Sequence, residues 1–285
     1  MTRILLTGAG GMLGHDLVSV LSGRVVTALT RSELDITNAT AVEEAVSRHD
    51  VVINAAAYTK VDDAETHRDE AFAINAEGPG NLARSAHAHG ATLIQLSTDY
   101  VFDGTAKDPY SEDSPLNPVS VYGQSKAEGE RAVLSEHPEG TIIVRTAWLY
   151  GEHGPNFPAT MLRLAHERET LSVVTDQIGQ PTWTHDLATW IKGLIDAKIS
   201  HGIFHGTNSG ETSWFDFARA VFEEAGLDPD RIQPTTSKSF VRPAPRPAWS
   251  VLGHDNWAAA GFPRPRPWRE ALTEAFPRCC SRWLS

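Results

Sequence analysis

The sequence predicts an α/β protein in which a doubly wound parallel sheet is followed by a smaller C-terminal lobe. Apolar runs of strand length alternate with helix-length segments as far as Gly151, and this alternation is typical of a parallel sheet covered by helices. A glycine-rich turn joins the first strand to the first helix. After Gly151 the alternation stops. We therefore predict a first domain at 1–150 and mainly a second lobe at 151–285, with a later strand near 202–207 rejoining the sheet.

The glycine-rich turn is the first candidate binding site. Arg3–Thr7 is a short apolar run, Gly8 to Gly14 reads Gly-Ala-Gly-Gly-Met-Leu-Gly, and helical spacing continues to Leu21. Glycines allow the backbone to approach a pyrophosphate, whose charge suits the N-terminus of the helix. Glycines also mark plain turns, but the flanking strand and helix favour a nucleotide site and a Rossmann-like sheet.

The second strand, predicted at 24–29, ends at Thr30-Arg31-Ser32. The acidic residue that would accept a ribose 2′-hydroxyl is missing there, and Arg31 with Ser32 suits a 2′-phosphate instead. This favours NADP(H), although a surface arginine would look the same. Asp35 and Ile36 follow and are candidates for contact with an adenine edge.

The third strand, at 50–57, ends in three alanines, Ala55, Ala56 and Ala57. Small residues at the carboxyl end of a strand leave room for a flat ligand, and open α/β sheets bind ligands at that edge. They are also compatible with ordinary core packing. Helices are predicted at 39–49 and, as one or two segments, at 65–89.

The fourth strand, at 91–96, leads into the stretch that most resembles an active site. It places Ser97, Thr98, Asp99 and Tyr100 at its end, and a helix is predicted to begin at Tyr122-Gly-Gln-Ser-Lys126. On that helix Tyr122 and Lys126 would share a face. A phenol beside an ammonium group can release its proton below its usual pKa of about 10. We hypothesise that Thr98, Tyr122 and Lys126 form a carbonyl-reducing acid site, although the spacing alone also arises by chance.

The region after Gly151 is predicted to contain helices at 159–168 and 185–198 and a strand at 171–176. Asp186 would lie in the first turn of the second helix, and Ser213 would cap a further helix. The proline-rich segments 241–247 and 263–268 are predicted to be irregular, because proline removes a hydrogen-bond donor and restricts the backbone.

Composition limits the class of protein. The chain has 285 residues, 41% hydrophobic, and a net charge of −11, which argues against nonspecific binding to nucleic acid. No apolar run has the length of a membrane span, and the N-terminus lacks a signal-peptide pattern. The two cysteines, Cys279 and Cys280, are adjacent and exclude a disulfide framework. We expect a cytoplasmic protein, and no zinc or serine-hydrolase motif is present.

Taken together, these motifs resemble the extended short-chain dehydrogenase/reductases and, within them, the dTDP-4-dehydrorhamnose reductase family. The matching segments are Thr-Gly-x-x-Gly-x-x-Gly14, Asn-Ala-Ala-Ala57, Ala-Ala-Tyr-Thr-Lys-Val-Asp-Asp-Ala-Glu65, Ser-Thr-Asp-Tyr-Val-Phe-Asp-Gly104, Val-Tyr-Gly-Gln-Ser-Lys126, Arg-Thr-Ala-Trp-Leu-Tyr-Gly151, Asp-Gln-Ile-Gly-Gln-Pro-Thr182 and Ala-Pro-Arg-Pro247. They cover most of the chain. The resemblance implies an NAD(P)-binding first domain, a substrate-binding lobe, and NAD(P)H-dependent reduction of the C4 ketone of a dTDP-4-keto-6-deoxysugar, here dTDP-4-dehydro-L-rhamnose.

The resemblance also implies a role for each candidate residue. Tyr122 would protonate the sugar oxygen, Lys126 would lower the pKa of Tyr122 and hold the nicotinamide ribose, and Thr98 would bind the carbonyl. The implied substrate contacts are Asp99, Tyr100 and Trp148. The implied cofactor contacts are Gly8, Gly11, Met12, Leu13 and Gly14 at the pyrophosphate, Thr30 and Arg31 at the 2′-phosphate, Asp35 and Ile36 at the adenine, and Ala55, Ala56 and Ala57 beside the nicotinamide.

Two other activities and several properties stay open at this point. A nucleotide-sugar epimerase or dehydratase could share the scaffold, although dehydratases carry Glu where this chain has Tyr100. A noncatalytic subunit resembling the regulatory subunit of methionine adenosyltransferase is the other alternative. Some members of the reductase family are described as magnesium-linked dimers, but no carboxylate cluster here establishes such a site, so Mg²⁺ and a homodimer are left open. NADH in place of NADPH, the deoxysugar and its C4 stereochemistry are also open.

Overall fold

A six-stranded parallel sheet forms the centre of the computed structural model, which describes residues 2–283. The strands are β1 (Arg3–Thr7), β2 (Val25–Leu29), β3 (Val51–Asn54), β4 (Thr92–Thr98), β5 (Thr141–Thr146), β6 (Leu149–Tyr150), β7 (Leu171–Val174), β8 (Ile178–Gly179), β9 (Thr182–Trp183), β10 (Gly202–His205), β11 (Thr212–Ser213) and β12 (Ile232–Thr235). The helices are α1 (Met12–Val20), α2 (Ala39–Val46), α3 (Arg68–Phe72), α4 (Gly78–His89), α5 (Val121–Glu136), α6 (Phe157–Glu167), α7 (Thr184–Asp196), α8 (Trp214–Glu224), α9 (Asp255–Ala259) and α10 (Trp268–Trp283).

The strand order of the main sheet is β10-β5-β4-β3-β1-β2. The chain therefore runs outward from β1 to β2, returns to the other side of β1 with β3, and continues in that direction. The order reverses between β1 and β3, and the crevice at the carboxyl ends of such a pair is where open α/β sheets bind ligands. The predicted fold class is confirmed.

Alternation along each strand distributes apolar side chains to two helical layers. Ile4 and Leu6 of β1 pack in a cluster with α1 and α7, whereas Leu5 packs in a second cluster with α2, α4 and α5. Successive side chains of a strand point to opposite faces, so a continuous apolar run buries both faces of the sheet. The strands read as apolar runs for this reason.

The second lobe has its own core. Side chains from α6, α8 and α10 surround Phe217, and the short parallel pair β7–β12 covers one side. Helix α10, for which the sequence analysis makes no prediction, follows the proline-rich segment 263–268 and carries Cys279 into this core.

The boundary between the two units is crossed several times. Helix α7 packs beside α1 on the sheet, β10 pairs in parallel with β5, and Trp257 of α9 is buried in the same cluster. The segment 241–247 also contacts the first unit. Asp62 of that unit accepts from Ala244 N at 3.2 Å and pairs with Arg246 at 2.9 Å. The lobe is therefore attached to the carboxyl edge of the sheet at more than one point.

Within residues 2–283, no helix is both long and apolar enough to cross a membrane.

Candidate active site

The glycine turn is shaped by two glycines that tolerate no side chain. Gly8 has φ +73°, and a Cβ there would lie 2.5 Å from the backbone of Ala55 and Ala56. A Cβ at Gly14 would lie 2.5 Å from Gly8 O. The end of β1, the start of α1 and the end of β3 thus meet at backbone contact distance. The N-cap residue of α1 is Gly11, so no side chain caps the first N–H groups of this helix. This cradle at a helix N-terminus fits the pyrophosphate of a dinucleotide.

Only some of the residues predicted to bind the cofactor have side chains available to a ligand in this cradle. Leu13 and Ile36 are 7% and 4% exposed and pack in the cores beneath it, so only their backbone atoms remain for a ligand. Asp35 accepts hydrogen bonds from Thr37 N and Thr37 Oγ1 at 3.0 and 2.8 Å, which lower the pKa of its carboxyl group. Asp35 is therefore an ionised, preorganised acceptor beside the cradle.

The turn after β2 contains an acidic residue that the sequence reasoning did not consider. Glu33 Oε2 accepts from Thr30 N at 2.8 Å and from Thr30 Oγ1 at 2.7 Å. The carboxylate is directed back to the turn by these bonds, which also lower its pKa. Arg31 is largely exposed and lies 3.4 Å from Glu70. The predicted 2′-phosphate residues therefore lie at the cradle's rim with the guanidinium in solvent.

A buried hydrogen-bond chain joins three neighbouring strands under the predicted nicotinamide region. Thr7 Oγ1 donates to Asn54 Oδ1 at 2.6 Å, and Asn54 Nδ2 donates to Gln95 Oε1 at 2.8 Å. Asn54 Oδ1 also accepts from Ala56 N at 3.2 Å, which holds the alanine segment. Thr7 and Asn54 end β1 and β3, and Gln95 lies in the middle of β4 beside Asn54. Polar residues within these apolar strands were the available signal, and the sequence analysis missed it.

The structure brings Thr98, Tyr122 and Lys126 together from two elements. Thr98 ends β4, and α5 begins at Val121 because Ser120 caps it by accepting from Gly123 N at 3.1 Å. A close approach permits this start: a Cβ at Gly123 would lie 2.2 Å from Tyr100 O. Tyr122 is therefore on the first turn of α5, next to the end of β4.

The pKa of Tyr122 differs from the expectation. Burial raises it to about 12, and the hydrogen bond with Thr98 offsets this only partly. Burial therefore outweighs any lowering of the pKa in the protein alone, and the lowering by Lys126 stays a prediction. The pKa of Lys126 is itself lowered to about 8 by burial, and its Nζ donates to Leu96 O at 2.6 Å. The phenol is therefore protonated at neutral pH.

Asp99 follows Thr98 and is 2% exposed. Burial raises the pKa of its carboxyl group to about 6, and its Oδ1 accepts from Thr98 Oγ1 at 2.9 Å. The Ser250 hydroxyl also lowers the pKa of this carboxyl group, but within residues 2–283 no donor meets Oδ2 at full hydrogen-bonding geometry. Such an orphaned buried oxygen is costly unless a ligand or water satisfies it.

Trp148 is held in an unusual backbone conformation. Its φ is +46°, and its ring stacks on Trp214 with centroids 3.6 Å apart and planes 11° from parallel. A Cβ at Gly179 would lie 2.6 Å from the indole, so the second face is also closely packed. Strain in a non-glycine residue persists where its surroundings fix it, often at a functional site. The partner Trp214 was not identified from the sequence.

No group of three or more His, Cys, Asp or Glu side chains among the described residues could hold a metal ion.

Comparison with known proteins gives consistent matches. Residues 1–280 match the family model described as the RmlD substrate binding domain. A dTDP-4-dehydrorhamnose reductase of Streptomyces griseus is 51% identical over 98% of this chain and 95% of its own length. A probable dTDP-4,6-dihydroxy-2-methyloxan-3-one 4-ketoreductase of Streptomyces antibioticus is 49% identical over 96% of this chain and 95% of its own.

A solved structure has the same fold over nearly the whole length. The dTDP-4-dehydrorhamnose reductase of Bacillus anthracis, in complex with NADP, superposes with a TM-score of 0.94 at 40% identity and covers 97% of this chain and 99% of its own.

Proposed function

This chain belongs to the family of the RmlD substrate binding domain, and from that membership we propose that it is an NADPH-dependent oxidoreductase acting on a dTDP-4-keto-6-deoxysugar. The reaction is reduction of the C4 ketone, with dTDP-4-dehydro-L-rhamnose as substrate and dTDP-L-rhamnose as product. The observation that carries the proposal is the placement of Thr98 and Tyr122 beside buried Lys126, in a chain so similar to named reductases.

The cradle residues are assigned to NADPH. Gly8, Gly11 and Gly14 would face the pyrophosphate with the backbone of Met12 and Leu13, and Thr30 with Arg31 would face the 2′-phosphate. The NADP complex of the Bacillus anthracis relative supports this cofactor. Asp35 with Ile36 would contact the adenine, and Ala55, Ala56 and Ala57 would lie beside the nicotinamide, which supplies the hydride when bound.

Tyr122 is assigned as the general acid. Negative charge develops on the ketone oxygen during reduction, and a hydroxyl donor placed there stabilises it most in the transition state. Because burial raises the pKa of Tyr122 to about 12, the phenol keeps its proton until an alkoxide, a stronger base, takes it. General acids of this kind contribute about 10²- to 10⁴-fold in rate.

Thr98 and Lys126 support that proton transfer. Thr98 now donates its one hydroxyl proton to Asp99 Oδ1, and on substrate binding it would turn that proton to the same sugar oxygen. The Lys126 ammonium would stabilise the phenolate left behind while holding the nicotinamide ribose. Asp99, Tyr100 and Trp148 are assigned to the sugar. Asp99 Oδ2 supports this, since a sugar hydroxyl would satisfy a buried oxygen that has no partner in the described chain.

The decisive experiment is an oxidation assay with NADPH and with NADH against dTDP-4-keto-6-deoxysugars, followed by determination of the C4 configuration. We expect stoichiometric NADPH consumption and a C4 alcohol. Conversion of the sugar without net consumption of NADPH would instead identify an epimerase or dehydratase. Binding of NADPH without any turnover would identify a noncatalytic protein.

A further inference from the structure

A fully buried ion pair lies one helical turn behind the candidate active site. Arg145 of β5 donates to both carboxylate oxygens of Glu130, with Nε to Oε1 at 2.9 Å and Nη2 to Oε2 at 2.8 Å, and both side chains are 2% exposed. Ser97 also donates to Glu130. Bidentate pairing of this kind is strong and directional. The carboxylate of Glu130 is thus held toward β5.

The remaining donors of Arg145 are occupied by groups without charge. Its Nη1 donates to Glu112 O at 2.9 Å and lies 3.3 Å from His205 Nε2. His205 Nδ1 lies 2.9 Å from Gly253 O, so Nδ1 carries the ring proton and Nε2 accepts from Arg145. Burial lowers the pKa of His205 to about 3, which keeps the ring neutral. Glu130 is therefore the carboxylate that neutralises Arg145.

Lys126 lies four residues before Glu130 on α5, a spacing that puts the two side chains on one face. Glu130 nevertheless pairs with Arg145, and Lys126 Nζ donates to the uncharged Leu96 O. A buried ammonium with a carboxylate one turn away would normally pair with it. If Lys126 is to donate a hydrogen bond to a ligand, another group must keep the Glu130 carboxylate from pairing with it.

We propose that Arg145 keeps Lys126 available for the cofactor ribose and for Tyr122 by holding the Glu130 carboxylate away from it. Arg145 and Glu130 are then positioning residues, and this inference rests on the proposed function. Glu130 has a second, long-range effect, because its charge favours the protonated form of Lys126 against the cost of burial. Glu130 is the charged side chain whose field acts on Lys126. The other ionisable residues on α5 and on the segments packed around it include Tyr122, Glu128, Arg131 and Glu136 on α5, Arg68, Asp69 and Glu70 on α3, Asp99, Tyr100 and Glu65 on the segments before α5, and Arg145 on β5.

The test compares R145M, E130Q and the double variant R145M/E130M. In R145M the freed carboxylate pairs with Lys126, so we expect NADPH affinity to fall about tenfold or more, the size of a lost charge-assisted hydrogen bond, and the alkaline limb of kcat to move to higher pH. In E130Q the cation loses its favourable charge, so that limb moves to lower pH. Removing both charges restores NADPH affinity to within about threefold of wild type, because an apolar pair of similar volume commonly replaces a buried ion pair without loss of stability.

The readouts are NADPH binding by fluorescence titration without sugar, the pH profile of kcat, and thermal unfolding of each variant. R84M is the matched control. Arg84 pairs at 2.7 Å with Glu136, which lies on α5 like Glu130, but this pair is on the surface. The variant should leave all three readouts unchanged. Opposite pH shifts in the two single variants and recovery in the double variant support the proposal.

Two results would overturn it: wild-type NADPH affinity in folded R145M, or equal weakening of binding in R145M and the double variant. If R145M does not fold, R145Q takes its place, and wild-type NADPH affinity in folded R145Q overturns the proposal equally. An inactive wild-type enzyme would contradict the proposed function instead, while the binding titration would still test the inference.

Discussion

At the scale of single residues, the surroundings of each candidate side chain set its protonation state and its hydrogen-bond partners, which its residue type alone does not determine. Tyr122 and Lys126 were found from their spacing, but burial raises the pKa of the phenol and lowers that of the ammonium. The proposed acid is consequently a neutral phenol, which would retain its proton until charge develops on the substrate. Glu33 and Trp214 carry no motif and became visible only through their contacts with Thr30 and Trp148.

Replacing Tyr122 by Phe removes the proposed proton donor while leaving the ring in place. We expect NADPH affinity within about threefold of wild type and a fall in kcat of about 10²- to 10⁴-fold. Stopped-flow or steady-state NADPH oxidation with the keto-sugar measures this. Y110F is the control, since the Tyr110 hydroxyl bonds Asp103 instead and its loss should leave kcat unchanged. Near-normal turnover in Y122F would refute the acid assignment.

Replacing Asp99 by Asn should stabilise the protein at neutral pH. The pKa of Asp99 is about 6 in the fold against 3.8 ordinarily, so between these values the folded state retains a proton that the unfolded chain has released. The free energy of unfolding therefore falls as pH rises through this window, and the penalty is complete above pH 6, reaching about 3 kcal/mol at most.

The expected result is a higher melting temperature for D99N at pH 7.5 and a smaller difference at pH 4.5, measured by circular dichroism. The same variant should reduce turnover if Asp99 orients the sugar. A stability difference independent of pH would contradict the raised pKa.

At the scale of elements, the strands were predictable because each is a continuous apolar run, whereas helix starts depended on contacts between elements. α1 begins at Met12, inside the glycine turn. Residues 73–77 form a π-helical turn between α3 and α4, and Asn75 there donates to Ser125 Oγ on α5 at 3.0 Å. The spacing of hydrophobic residues in the sequence does not predict such a contact.

Two glycines of the first turn give a matched pair of variants. A Cβ at Gly14 would lie 2.5 Å from Gly8 O, while a Cβ at Gly10 would lie 3.5 Å from the Thr30 side chain, an ordinary contact. We expect G14A to displace α1 from the turn, destabilise the protein by about 1–3 kcal/mol and weaken NADPH binding at least tenfold. G10A should stay near wild type in both titration and thermal unfolding. Equal effects of the two variants would argue against the cradle.

At the scale of the whole molecule, the end of the chain completes the second core and returns to its beginning. Trp283 of α10 is 5% exposed, and its Nε1 donates to Gly151 O at 2.8 Å, where the lobe starts. This contact spans 132 residues of sequence. It joins the end of the chain to the start of the lobe.

Replacing Trp283 by Ala should lower the free energy of unfolding by about 3–5 kcal/mol, the usual cost of emptying a large buried aromatic site. NADPH affinity at low temperature should stay within about twofold of wild type, since the Trp283 side chain packs in the core of the second lobe and not in the cluster of Leu13 and Leu17 beneath the cradle. Chemical denaturation and fluorescence titration measure the two quantities. Loss of NADPH affinity in folded W283A would show that the lobe and the cradle are coupled.

The sequence by itself determined the parallel α/β class, the glycine cradle and the identity of Thr98, Tyr122 and Lys126. These are local patterns, since strand length, turn chemistry and helical spacing are each set within a few residues. Tertiary structure alone decided that Arg145 holds Glu130, that Asp99 retains an unpaired oxygen, and that α7, β10 and α9 return to the sheet. Those features depend on groups far apart in the chain meeting where water is excluded, and burial then sets their protonation and their partners.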